Sequence, residues 1–148
     1  MDLLIGYNRT MAIRMELSRI LIRDGDPSQI VELREVDGER VFPIVIGMTE
    51  ALAIDRRLMG HVPPRPQTHE LLASVIEHMG GEIDHVLICD LRSDEMLNGT
   101  FFARLRIRCG EELLDIDSRP SDAIALGVAT QVPIYVEEHV LELLEQQP

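Results

Sequence analysis

Lysine and tryptophan are absent from this 148-residue chain, and aromatic side chains make up only 3% of it. All 14 basic residues are therefore arginines, set against 26 acids for a formal net charge of −12. A field of that sign repels polyanions at long range, so unspecific nucleic-acid binding is disfavoured. A nucleic-acid partner would need a local arginine cluster or bridging metal ions. Arginine itself suits phosphate, because its planar fork donates two hydrogen bonds at once. Cysteine is scarce as well: Cys89 and Cys109 stand apart, with no Cys-x-x-Cys pair. That spacing suggests neither a disulfide framework nor a zinc site, and the two read as buried, reduced thiols. Nor is there a long hydrophobic run. No stretch approaches the ~20 apolar residues of a membrane span, so no membrane association is expected. The start carries Asp2 before the short run Leu3-Leu4-Ile5, whereas an export signal needs a basic start and a longer apolar region. The expectation is a cytoplasmic protein.

What is present is aliphatic bulk. Hydrophobic residues reach 45%, and with so few aromatics the interior must be built from Leu, Ile, Val, Ala and Met. The length fits a single domain, since two would each be short of core. Residues 1–10 read as an N-terminal extension and 11–148 as the domain.

Met11, Ile13, Met15 and Leu17 alternate with Arg14, Glu16 and Ser18, the period of two of a half-buried strand. Asp24-Gly25-Asp26-Pro27 is a turn cluster, and a second strand alternates around Val31 and Leu33. Asp37-Gly38 signals a hairpin, and the apolar run from Val41 to Ile46 predicts a continuous apolar third strand. Pro43 lacks a backbone donor, which places it at an edge or bulge. Thr49 is predicted to cap a helix from Glu50 to Met59, stopped by Gly60 and followed by an extended, proline-rich linker to Pro66. Thr68 is predicted to cap a second helix, on which Leu71, Leu72, Val75, Ile76 and Met79 draw one apolar stripe.

Beyond Gly80-Gly81 come a strand from Ile83 to Asp90 and a polar loop through Asn98-Gly99. Phe101, Ala103, Leu105, Ile107 and Cys109 then alternate with Phe102, Arg104, Arg106 and Arg108, and Glu112 to Asp117 returns as another strand. A helix from Pro120 to Thr130 is apolar all round from Ala123 to Ala129, the composition of a helix buried on every side. A short strand, Pro133 to Val136, and an amphipathic helix, Glu138 to Glu145, close the chain. Hairpins first and helices later define an α+β domain, with a mixed, largely antiparallel sheet and three to four helices. A crossover at the final short strand allows some parallel pairing.

Three separated segments carry a family likeness. They are Pro43-Ile44-Val45-Ile46-Gly47 with Glu50-Ala51 and Ala53-Ile54, then Pro64-Arg65-Pro66-Gln67-Thr68-His69-Glu70-Leu71-Leu72, then Asp117-Ser118-Arg119-Pro120-Ser121-Asp122-Ala123-Ile124-Ala125-Leu126. In this order, within a span from about Met11 to Val140, they resemble the bifunctional nuclease domain family, long catalogued as a domain of unknown function. The resemblance implies an α+β domain that forms homo-oligomers, a dimer being favoured, with members described as degrading both DNA and RNA. It implies no organic cofactor. It carries no mechanism residue by residue.

The residues suggest where chemistry could sit. A two-residue turn at Gly110-Glu111 pairs Leu105 with Ile116 and Ile107 with Leu114 on the buried side, and Arg106 with Asp115 and Arg104 with Asp117 on the other. Arg104, Arg106 and Arg108, about 6.8 Å apart along a strand, match the phosphate repeat of a single nucleic-acid strand. The plainer reading is a salt-bridge ladder, because the acids are already in register. At Asp117 to Asp122 a strand meets a buried helix, whose free amides and positive end attract anions. Arg119, with Ser121 beside it, would grip phosphate, while helix capping by Ser118, with Pro120, Ser121 and Asp122 in the first turn, explains all but Arg119. In the second segment His69 would serve as general base and Arg65 would clamp phosphate. Here too Thr68 as cap, Glu70 as a dipole-stabilising acid and an exposed His69 form the plain alternative. Glu50 reads chiefly as a dipole-stabilising acid. The functional expectation is a nuclease hydrolysing phosphodiesters, with Asp117, Asp122 and Glu70 holding Mg²⁺ or Mn²⁺. His69, Asp117 and Asp122 would be its catalytic groups, and Arg65, Arg119, Ser121 and Arg104 would bind substrate. The rival is a non-catalytic homo-oligomeric module binding an anionic small molecule or a protein partner. The negative charge and the neutralised arginines favour that rival.

Overall fold

The computed structural model describes residues 12–93 and 99–146. The N-terminal extension, Met11, and residues 94–98 of the expected polar loop, Met96 included, lie outside the described residues. The chain opens with an antiparallel meander, β1 (Ala12–Leu21), β2 (Ser28–Glu35) and β3 (Val41–Gly47), and β3 runs straight into α1 (Met48–Leu58). After the linker come α2 (Thr68–His78), a second antiparallel meander of β4 (Gly81–Arg92), β5 (Thr100–Cys109) and β6 (Glu112–Ser118), and then α3 (Pro120–Thr130). β7 (Ile134–Glu137) and α4 (Glu138–Glu145) finish it.

All seven strands form one sheet in the order β3-β2-β1-β7-β4-β5-β6. The short strand β7 joins the two meanders, antiparallel to β1 and parallel to β4. This is the mixed, mostly antiparallel α+β architecture, with four helices among the described residues. The β5–β6 register is the one that the Gly110-Glu111 turn dictates, with Arg104 opposite Asp117 and Arg106 opposite Asp115. Gly110 sits at φ 61°, a conformation costly for residues that carry a Cβ.

Helix α3 explains its own composition. It packs on β4 and β5 beneath α1 and α2, so Ala123, Ile124, Ala125 and Leu126 are all buried. The approach is close: a Cβ added at Gly127 would stand 3.1 Å from a methyl of Val86. Each buried Leu or Ile here contributes roughly 1.5–3 kcal/mol through removal of apolar surface from water.

Several expectations need correction. The apolar β3 run forms its strand but buries only one face: Phe42, Ile44 and Ile46 are buried, and Val41 and Val45 are exposed. As an edge strand it turns alternate side chains to solvent, and Pro43 occupies the edge position foreseen for it. Ile116, expected on the buried side, is 45% exposed, because β6 is the other edge. Thr49, Thr68 and Ser118 are not caps. The capping residues are Gly47, Gln67 and Arg119, each extended and none bonding through its side chain. The Ser118 hydroxyl instead donates to the Arg119 carbonyl. Most of the α2 stripe is not covered by the core: Ile76 packs against it, but Leu71, Leu72, Val75 and Met79 all lie open to solvent. Both cysteines are free and half-buried rather than buried, and burial raises the Cys89 thiol above its ordinary value.

One polar cluster ties the ends of the fold together. Arg40, beside β3, donates to both carboxylate oxygens of Glu138 at 2.7 and 2.9 Å and to Glu35. That bidentate bond holds the Glu138 carboxyl below its usual range. A lowered carboxyl contributes stability that is complete above its unfolded value, ~4.3, and is lost as pH falls through the folded value. Glu138→Gln is therefore expected to lower the melting point by about 2–4 °C at pH 7, allowing for partial exposure. Below that range the gap to the parent should close in thermal melts. A gap that persists at low pH would show that the ion pair is not its origin.

Candidate functional site

Arg119 is the hub of the site. The proline that follows it disfavours a helical conformation at Arg119, and Arg119 is extended at φ −69°, ψ 145°. Pro120 then opens α3 without wasting an amide. The side chain turns back over the first turn, where Nε donates to Asp122 Oδ2 at 2.8 Å and Nη2 to Asp122 Oδ1 at 3.2 Å. Nη2 also donates to Glu50 Oε1 at 3.3 Å. Asp122 foremost, and Glu50 after it, raise the pKa of Arg119, so the group is a permanent cation. His69, in the first turn of α2, brings Nε2 to 3.6 Å from Asp122 Oδ1. That is too long for a hydrogen bond and becomes an ion pair when the imidazole is protonated.

The three likeness-bearing segments thus meet: Glu50 from the first, His69 from the second, Arg119 and Asp122 from the third. Sequence reasoning had read Glu50 chiefly as a helix-dipole residue and missed it as a direct partner of Arg119. A signal existed in Gly47, three positions earlier. A Cβ there would stand 2.6 Å from Glu50 Oε2, so glycine leaves room for that carboxylate.

The other expected residues make no hydrogen bond or ion pair with Arg119 among the described residues. Asp117 lies on β6, 74% exposed, 3.6 Å from Arg104, which also reaches Asp115 at 4.0 Å. Arg106 Nε lies 2.8 Å from Asp115 without hydrogen-bond alignment, and Arg108 pairs with Asp84 at 3.4 Å. The arginine stripe is therefore a salt-bridge ladder, each exposed pair worth roughly 0.2–1 kcal/mol. Glu70 lines a separate cavity of about 580 Å³, with Arg57, Glu77, Glu82 and Thr130. Arg65 is exposed and makes no ion pair among the described residues. Asp117, Asp122 and Glu70 do not gather. Among the described residues no three His, Cys, Asp or Glu side chains are grouped to hold one ion, so these donors do not fit a resident three-ligand metal centre within one chain.

Ser121 is where the sequence placed it, beside Arg119. Its residue surface is 8% exposed. With Arg119 and Pro120 it lines a groove of about 470 Å³, whose other wall is β3 from Pro43 to Gly47, with Phe101 at the start of β5. Arg119 is thus common to the polar cluster and to the groove.

These observations define an α+β domain with one arginine-centred polar site at the start of its buried helix. Residues 31–147 match the model of the bifunctional nuclease domain, and the chain belongs to that family. It is 41% identical over 137 residues to an uncharacterised protein of Mycobacterium tuberculosis strain H37Rv, covering 93% of this chain and 74% of that protein. It is also 28% identical over 123 residues to bifunctional nuclease 1 of Oryza sativa subsp. japonica, covering 80% of this chain but only 36% of the rice protein. The bifunctional nuclease of Oryza minuta matches to the same extent. No helix among the described residues is long and apolar enough to cross a membrane.

Proposed function

We propose that this domain hydrolyses phosphodiester bonds of DNA and RNA at the Arg119 cluster. The observation that carries the reading is one cluster in which Glu50 and Asp122 bind the Arg119 guanidinium and His69 stands beside Asp122. Glu50 and Asp122 hold Arg119 in place, and its Nη1 edge, unbonded among the described residues, is left for a phosphate oxygen. The Ser121 and Asp122 amides of the first turn of α3 add donors at the positive end of the helix. His69 turns Nε2 toward Asp122, which leaves Nδ1 to take the proton of an attacking water. Asp122 then stabilises the imidazolium that results.

The test is cleavage of supercoiled plasmid and of an RNA by purified protein in Mg²⁺, Mn²⁺ or EDTA, with His69→Ala and Asp122→Ala alongside. Loss of cleavage in both variants supports the assignment. Cleavage that survives in them points to contamination or to a site elsewhere. The rival, a non-catalytic module holding an anionic small molecule or a protein partner, is favoured by the neutralised β5 ladder and the acidic balance of the chain. Binding at Arg119 without any cleavage would establish it.

The same reading includes a homodimer built on α2. Leu71, Leu72, Val75 and Met79 are 43–81% exposed on that helix, a charge-free stripe on a chain of net charge −12. Two such chains approach with least repulsion where neither presents a charge, and a two-fold axis sets the stripe against itself. Leu72→Glu places like charges at that seam and is expected to convert a dimer into a monomer in light scattering at high micromolar concentration. A parent chain that is already monomeric there removes the proposal.

A further inference from the structure

Resting on the phosphodiesterase reading, we propose that the groove between β3 and the start of α3 takes one unpaired nucleotide, so that the substrate is single-stranded nucleic acid. Its two walls differ in chemistry. On one, Val45 is 65% exposed and stands beside Pro43, apolar surface that no core requires. Phe101 also lines the groove, its ring stacked on the buried Phe42 at 5.7 Å. A base offers a π face to such a surface. On the other wall is Arg119 with Ser121, whose hydroxyl has no partner among the described residues and is open to solvent at the groove.

Size and charge select the strand form. A space of about 470 Å³ suits one splayed nucleotide, whereas a stiff duplex keeps its bases stacked away from such a recess. The duplex also offers a row of phosphates, which this chain cannot answer. The arginines of β5 are already paired with Asp84, Asp115 and Asp117, so Arg119 with the helix start serves one phosphate, or two at most.

The salt dependence of binding follows. For one or two phosphate contacts on a single strand, raising salt from 50 to 200 mM should weaken binding roughly three- to seven-fold, against about 10³-fold or more for a surface with many contacts. The experiment is fluorescence anisotropy of a labelled eight-residue oligothymidylate and of a duplex hairpin, with the full chain in EDTA. The single strand is expected to bind at least ten-fold more tightly than the hairpin, with that shallow salt dependence. Val45→Glu, at an exposed position, should cut strand binding ten-fold or more with an unchanged melting point. Ser121→Ala should weaken it roughly two- to ten-fold with a melting point unchanged or raised, an outcome that a merely structural hydroxyl would not produce. Equal affinity for hairpin and strand, a steep salt dependence, or indifference to both substitutions would overturn the proposal. Strand binding that responds to both variants but is never followed by cleavage would keep the groove and remove the nuclease reading. Cleavage of duplex and single strand alike, indifferent to both variants, would keep the nuclease and remove the groove.

Discussion

Replacing Arg119 with alanine should lower phosphodiester cleavage by roughly 10²–10³-fold, the usual cost of removing one preorganised donor from a developing anion. The melting point should move little. The side chain is 69% exposed and its ion pairs are solvent-screened, so less than about 1 kcal/mol of stability is at stake. Arg119→Lys separates charge from geometry. Lysine keeps the cation but lacks the planar fork, which here engages both oxygens of Asp122 while also reaching Glu50. It should therefore recover only part of the lost rate. Rates for both variants on plasmid and RNA, set beside their thermal melts, check this. A fully active Arg119→Ala protein would move the active site away from α3.

Leu126→Ala should produce the largest loss of stability. Leu126 is 2% exposed in a helix walled in by β4, β5, α1 and α2. The methyl groups removed leave a cavity that this close packing cannot collapse, at a cost of about 2–5 kcal/mol. For a chain of this size that is roughly 5–15 °C in melting point. Ile116→Ala serves as the control. It removes a similar volume from an edge strand at 45% exposure and should cost under about 1 kcal/mol. Denaturant titration of the two variants reads the difference directly. Equal losses would mean that β6 is covered by something the single chain does not contain. Because α3 also carries Arg119 and Asp122 at its start, Leu126→Ala should weaken cleavage near its lowered melting point while leaving it largely intact well below.

Much of this molecule was legible before any coordinates, where short-range rules apply. The β5–β6 register followed from one glycine-led turn and the two-residue period of a strand. The burial of α3 followed from an unbroken apolar stretch too short to cross a membrane. Pro43 called for an edge or a bulge because a missing donor cannot sit inside a ladder, and the edge is where it lies. The caps failed at Thr49, Thr68 and Ser118, where the residue before each helix is simply the extended end of the preceding segment. The α2 stripe misled in another way: its period reports a helix with an apolar side but not what covers that side.

The candidate site divides along the same line. That Arg119, Ser121 and Asp122 share one helix start is a local fact, written in consecutive residues. That Asp122 meets His69, that Arg119 reaches Glu50 sixty-nine residues away, and that Asp117 and Glu70 point to different places are consequences of sheet order. β7 inserted between β1 and β4 sets the two meanders side by side, and three distant segments meet in the cluster of Arg119 and Asp122. Sequence alone determined the elements and the β5–β6 register, because those rest on backbone geometry over a few residues. Only the tertiary structure decided which charged groups meet, because that depends on how a seven-stranded sheet orders segments far apart in the chain.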